Sequence, residues 1–153
     1  MMIMMSVYRL TIPGKPIPKA RPRFAKGHTY TPKRTLDEEK RLRESFRFGE
    51  VIVEHDGPHG VNKEKRIGFP WLGKSRLRFW VTFVGASTSA DLSNLVKSVE
   101  DAMMAPKGEA REGGIIWDDQ SIDDLRVRRG VGGPPRIELE LEVLGADRLS
   151  AVR

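Results

Sequence analysis

The sequence predicts an α+β fold: a single small domain in which a mixed β-sheet is packed with helices. Three observations point there. Leu77, Phe79, Val81 and Phe83 alternate with Arg78, Trp80 and Thr82, the period-two signature of a half-buried strand. Ile137, Leu139, Leu141 and Val143 repeat that pattern near the end of the chain. Between them, Leu92, Leu95, Val96, Val99, Ala102 and Met103 fall within one arc of a helix at about 100° per residue. At 153 residues the chain has the length of one domain and can bury a core without covalent support.

Taken in order, Val7 to Ile12 alternates and reads as a first strand that Pro13-Gly14 stops. Pro13, Pro16, Pro18, Pro22 and Pro32 predict an extended loop from Pro13 to Pro32. Thr35 or Asp37 can cap a helix running to about Phe48. Gly49 to Lys74 scatters glycine, proline and charge around one short apolar run, Val51 to Val53, and predicts a long loop or insertion. After the strand at Leu77 to Phe83, the small polar Gly85 to Ala90 predicts a turn into a helix from about Leu92 to Met104, ended by Pro106 and Gly108. Ile115 to Trp117 predicts a short strand or turn, and Ile122 to Arg129 and Arg136 to Leu144 predict strands. The tail 145–153 is expected to fray, and no internal repeat is visible.

Composition narrows the chemistry. With no cysteine, thiolate zinc sites and cysteine nucleophiles are excluded, and a reducing cytoplasm is the expected compartment. His28, His55 and His59 form no zinc-binding pair, so any metal is expected to be a hard ion held by oxygens. Met1-Met2-Ile3-Met4-Met5 is apolar but too short for a membrane span and lacks the basic start of a signal peptide, so no membrane association is expected. A net charge of +6 favours a polyanionic partner. From Pro13 to Leu36 there is no acidic residue, while Lys15, Lys19, Arg21, Arg23, Lys26, Lys33 and Arg34 are basic and suited to tracking phosphates. Phe24 and Tyr30 in that stretch could stack on exposed bases; the competing and favoured expectation for Phe24 is a core anchor. Trp71, Trp80 and Trp117 are expected to pack, and Arg126, Arg128 and Arg129 to lie partly on one strand face, either extending a DNA path or merely solvated.

The acidic residues are sparse and patterned. Asp91, Asn94, Lys97 and Asp101 form one polar stripe opposite the apolar arc of their helix. Read alone, that stripe is a solvated face with Asp91 as cap and Lys97–Asp101 as an i,i+4 pair. The segment Ile115-Ile116-Trp117-Asp118-Asp119 adds two acids after an apolar triplet; in a strand, only one of them would face a given site. Two carboxylates brought to about 4 Å repel by roughly 4 kcal/mol at an effective dielectric of 20. Convergence of Asp91 and Asp119 would therefore need a cation, either Lys97 or a divalent metal. Phosphodiester hydrolysis uses both.

These motifs resemble the RusA family of Holliday-junction resolvases. The resemblance rests on Asp91-Leu92-Ser93-Asn94-Leu95-Val96-Lys97, then Asp101, then Ile116-Trp117-Asp118-Asp119-Gln120, and on the opening Ile12-Pro13-Gly14-Lys15-Pro16-Ile17-Pro18-Lys19-Ala20-Arg21-Pro22-Arg23-Phe24. It spans roughly Val7 to Leu144, with Gly49 to Lys74 unmatched. It implies a RusA-like fold and a homodimer that cuts four-way DNA junctions with Mg²⁺ or Mn²⁺, leaving 5′-phosphate and 3′-hydroxyl ends. It implies Asp91 and Asp119 as metal ligands, Asp118 as a further ligand or support, and Lys97 as the catalytic lysine. Asn94 would orient a ligand or phosphate, with Ser93 and Asp101 in support. Ser93 is a departure: the family usually carries a second carboxylate there, and a neutral hydroxyl is a weaker ligand for Mg²⁺. Two alternatives stand beside a nuclease. One is a non-catalytic branched-DNA-binding protein derived from such an enzyme; the other is a basic protein-interaction module with no DNA role.

Overall fold

The computed structural model describes residues 6–104 and 114–145. Its elements are β1 (Ser6–Pro13), β2 (Arg23–Ala25), β3 (His28–Tyr30), α1 (Lys33–Phe48), β4 (Glu50–Gly57), β5 (Gly60–Ile67), β6 (Arg76–Val84), α2 (Leu92–Met103), a 3-10 turn (Asp119–Ser121), β7 (Ile122–Gly130) and β8 (Arg136–Gly145). Six strands form one mixed sheet in the order β5-β4-β1-β8-β6-β7. The β6–β7 pair is parallel and the other neighbours are antiparallel. A parallel pair cannot be closed by a tight turn. The connection between β6 and β7 therefore carries α2 across the sheet.

Strand alternation sorts the sheet into two unlike faces. Leu10 and Ile12 pair with Leu139 and Ile137, which in turn lie beside Val81 and Phe83. These residues join Leu42 and Phe46 of α1 and Leu95, Val96, Val99, Ala102 and Met103 of α2 in one buried cluster. The predicted apolar arc of α2 is thus its core face, with Leu92 at the margin. The opposite face is laced with charge: Arg9 meets Glu54 at 2.5 Å and Glu140 at 2.7 Å, and Arg78 meets Glu140 at 2.7 Å and Glu142 at 2.6 Å. There two guanidinium groups stack on Trp80, Arg78 at 3.8 Å and Arg126 at 4.1 Å from its ring centre.

Three expectations need correction. Gly49 to Lys74 is not a loop, because β4 and β5 pair along their length as a hairpin at the sheet edge. Every residue of β5 is exposed, so it shows no apolar face for periodicity to detect. Ion pairs across the hairpin, Lys65–Glu50 at 3.2 Å and Lys63–Glu54 at 3.5 Å, take the place of buried contacts, and charge on an edge strand discourages pairing with other chains. The stretch Pro13 to Pro32 is not wholly extended loop either, since β2 and β3 form a separate two-stranded hairpin within it. Third, α1 begins at Lys33 rather than at a Thr35 or Asp37 cap. Pro32 occupies the cap position, and its carbonyl accepts from Thr35 N at 3.0 Å. The helix end at Pro106 and Gly108 falls outside the described residues, as does the tail beyond Gly145. No helix among the described residues is long and apolar enough to cross a membrane.

The segment between β1 and β2 is tied down along its course. Gly14 N donates to Pro135 O at 3.0 Å, and Arg41 Nη1 donates to Pro13 O at 2.7 Å. Ile17 N donates to Glu38 Oε2 at 2.9 Å, Lys19 N to Asn94 O at 3.0 Å, and Ala20 N to Thr35 Oγ1 at 3.0 Å. Glu38 is buried and also accepts from Arg41 Nε at 2.5 Å and Nη2 at 2.9 Å. Removing that carboxylate strands both a partly buried amide and a guanidinium. Glu38→Ala is expected to lose about 3 kcal/mol of stability and Glu38→Gln about 1 kcal/mol, read from urea unfolding midpoints. Equal losses for the two variants would show that the hydrogen bond to Ile17 contributes nothing.

Candidate active site

The crossover that carries α2 over the sheet positions the acidic stripe. Asp91 is the N-cap: its Oδ1 accepts from Ser93 N at 2.9 Å and from Ser93 Oγ at 2.8 Å. The serine hydroxyl and the serine amide, with a smaller contribution from Arg129, hold the Asp91 carboxyl below its ordinary value. Arg129 comes from the helix-facing side of β7 and donates to the carbonyls of Ser87 (3.2 Å) and Ala90 in the turn before α2. Arg126 and Arg128 lie on the other face of β7, where their register partners are Trp80 and Thr82. The three arginines therefore do not line one path.

Further along the stripe, Lys97 Nζ stands 3.6 Å from Asp101 Oδ1 and 3.6 Å from Asp119 Oδ2. Burial pulls this ammonium down, but Asp101, Asp119 and Glu100 together outweigh it and hold Lys97 above its ordinary value. The second side of Asp101 is taken by the ammonium of Lys19, in a short contact from the N-terminal segment. Lys19 therefore differs from Lys15, Arg21, Arg23, Lys26, Lys33 and Arg34, which are all exposed. Lys33 pairs with Asp37 at 3.0 Å.

Asp119 is delivered by an anchored turn. Ile115 and Ile116 are buried, and their amides donate to Met103 O at 2.7 and 3.1 Å, closing the C-terminus of α2. Arg43 of α1 reaches the carbonyls of Ala102 at 3.3 Å and of Asp101 and Met104 at 3.4 Å, a cation placed where the helix dipole is negative. Ile116 makes isolated bridges to Gly73 and Met104, and then the chain turns. Asp118 caps the 3-10 turn, accepting from Gln120 N at 3.0 Å. That bond chiefly, with a smaller contribution from the adjoining Asp119 carboxyl, keeps Asp118 below its ordinary value. The strand rule that separates consecutive side chains thus lapses here, and both acids stand at the same turn.

The structure brings Lys97, Asp101 and Asp119 together, with Lys19 behind Asp101, and it brings Asp91 to Ser93. Asn94 takes part through its backbone carbonyl. Among the described residues, no three His, Asp or Glu side chains are gathered so as to hold a metal ion. The donors on offer are carboxylate oxygens, the chemistry that Mg²⁺ and Mn²⁺ take. Sequence reasoning missed Glu100. It lies three residues beyond Lys97 on the same stripe, and burial, reinforced by Asp119 and Asp101 against the pull of Lys97, raises its carboxyl above the ordinary value. Its i,i+3 spacing from Lys97 was the available signal.

The expected core role of Phe24 is wrong: the ring is 73% exposed on the β2–β3 hairpin, and Tyr30 is 43% exposed. Trp117 is also half exposed, edge-on to Trp71 with ring centres 5.2 Å apart.

The Asp91 cap makes the stability of α2 depend on pH. Because its folded carboxyl is depressed, the cap's stabilisation is present above the unfolded carboxylate's value and is lost as pH falls through the folded one. Ser93→Ala should move the Asp91 titration, followed by carboxyl NMR, to higher pH and bring the acid loss of stability forward with it. An unmoved titration would show that the hydroxyl is not the cause.

A search of curated proteins finds no match to this chain. The family model for endodeoxyribonuclease RusA matches residues 13–142. Those limits take in the tied N-terminal segment, both helices and most of β8. Members of that family are Holliday-junction resolvase nucleases that bind branched DNA and are generally dependent on divalent metals. The chain belongs to the RusA family of endodeoxyribonucleases.

Proposed function

We propose that this chain is a divalent-metal-dependent, structure-selective endodeoxyribonuclease that resolves four-way or other branched DNA junctions as a homodimer. The observation that carries the proposal is the position of Lys97 between Asp101 and Asp119, on the helix that Asp91 caps. In a protein of net charge +6, carboxylates set around one ammonium are suited to phosphodiester chemistry rather than to phosphate binding. Asp91 and Asp119, with Asp118, are the residues to hold Mg²⁺ or Mn²⁺, which when bound activates water and screens the phosphate charge. Lys97 stays protonated because its carboxylate neighbours outweigh its burial, so its ammonium is available to stabilise charge developing on the scissile phosphate. Lys19 and Lys97 together offset the mutual repulsion of Asp101, Asp119 and Glu100 and so orient Asp119. The exposed Lys15, Arg21, Arg23, Lys26 and Arg34 supply phosphate contacts beside it.

A second reading has its own observation. The Ser93 hydroxyl donates to Asp91 Oδ1, where the family usually places a second carboxylate, which favours a branched-DNA-binding protein that has lost cleavage. Ser93→Asp separates the two. If cleavage appears or rises in the variant, the missing carboxylate is what limits catalysis.

The deciding measurement is nicking of a synthetic four-way junction against linear duplex with Mg²⁺ or Mn²⁺; binding without cleavage in either metal would overturn the enzyme. Asp91→Asn keeps a good helix cap while removing the charge. This variant and Asp119→Asn should abolish cleavage and spare most junction binding. Lys97→Met should slow single-turnover cleavage by about 10²- to 10³-fold. Neutralising Arg21 and Arg23 together should weaken binding to all DNA and flatten the slope of log K against log salt by about 2. An unchanged slope would remove that segment from the phosphate path.

A further inference from the structure

The β2–β3 hairpin is built unlike the rest of the molecule. Every residue in both strands is exposed, and the pair belongs to no other sheet. A free two-stranded hairpin is marginal in water. This one is held at its base, where Lys19 N bonds Asn94 O and Ala20 N bonds Thr35 Oγ1 on one side, and where Pro32 starts α1 on the other. Its turn is Lys26-Gly27 with φ of 51° and 83°, both in the left-handed region that a two-residue hairpin requires. Glycine takes that conformation freely, whereas lysine does so at a cost, so the tip places a cation at its apex despite strain.

Pairing fixes which side chains share a face. Arg23 is opposite Tyr30 and Ala25 opposite His28, while Phe24 is opposite Thr29. Phe24 therefore stands on one face of the hairpin beside a small polar residue, and Tyr30 stands on the other beside Arg23. Phe24, 73% exposed on a basic arm, contributes nothing to the core. The arm starts where Lys19 contacts Asp101, and so it is rooted beside the Lys97 cluster.

We propose that Phe24 is a specificity-determining residue, a wedge that stacks on a base left unpaired or unstacked at the branch point while Arg21, Arg23 and Lys26 hold the flanking phosphates. The inference rests on the branched-DNA reading above and names the feature that separates branched from linear substrate. Stacking takes any base, and only a branch, end or distorted step presents one. The ring therefore contributes affinity at a junction and none on intact duplex.

The experiment uses four-way junctions carrying 2-aminopurine either at the branch point or inside an arm, with matched linear duplex, under metal-free conditions. Wild type should prefer the junction and change 2-aminopurine fluorescence at the branch point only. Phe24→Ala should lower junction affinity about tenfold, leave duplex affinity unchanged and abolish the branch-point signal. Phe24→Trp should restore both, and Tyr30→Ala, on the opposite face, should leave the branch-point signal in place. If wild type prefers the junction and Phe24→Ala keeps the same junction-to-duplex ratio, or loses both affinities equally, the wedge is overturned while the functional reading stands. If wild type shows no junction preference, the functional reading itself fails.

Discussion

The parallel pairing of β6 with β7 is the constraint on which the rest depends. Two parallel neighbours cannot be joined by a turn, so the chain between them must cross a face of the sheet, and α2 is that crossing. One apolar arc then places α2 in the core cluster that also holds Phe79, Val81 and Phe83, and its rotation is no longer free. Once the arc is buried, the polar stripe of Asp91, Lys97, Glu100 and Asp101 has one direction to face. The same crossing requires the chain to return to the start of β7. The buried Ile115-Ile116 pair makes that return against the C-terminus of α2, and it leaves Asp118 and Asp119 beside Lys97. Sheet topology, helix orientation and site composition are thus consequences of one register.

The N-terminal segment couples this site to the basic surface. Its backbone is tied to α1 through Glu38 and Thr35 and to α2 through Asn94, and its Lys19 ammonium reaches Asp101. A charged, proline-rich stretch would be a mobile linker if its amides were left to water. Here a buried carboxylate and a buried threonine hydroxyl accept from it, which makes it a rigid root for the β2–β3 hairpin. Displacing Lys19 would leave Asp101 with Lys97 alone, so a movement of the arm is felt electrostatically within the acidic cluster.

How much of this could be read in advance follows from where burial was visible. The strands β1, β6 and β8 and the helix α2 were legible, because each buries one face and alternates or repeats accordingly, whereas β7 buries no residue fully. The β4–β5 hairpin was not, since β5 buries nothing and its partners are charges across the ladder. Phe24 misled for the converse reason: an isolated phenylalanine ordinarily signals core, and nothing local marks it as exposed. In the candidate site, the stripe of Asp91, Lys97 and Asp101 was legible from spacing alone, whereas the Lys97–Asp119 contact is tertiary and needed the fold. Lys19 reads as one more cation in a basic run until the turn of the segment aims it inward.

Ser93 shows how the start of α2 is held by side-chain hydrogen bonds of its own. The first turn of a helix presents unpaired amides and the positive end of the dipole, so one carboxylate at the cap is well served there. A second carboxylate two residues on would compete for those amides and repel the first, and the pair would need a cation to hold them together. A serine hydroxyl instead donates to Asp91, adding to the cap and lowering its carboxyl further. The N-terminus of α2 is therefore self-sufficient in this chain. Its cap is closed by protein groups alone, and the same hydrogen bond occupies a lone pair of Asp91 Oδ1. On the proposed role of Asp91 as a metal ligand, stability of the helix start and ligand capacity are opposed at this residue, because the hydroxyl that strengthens the cap takes up an oxygen lone pair.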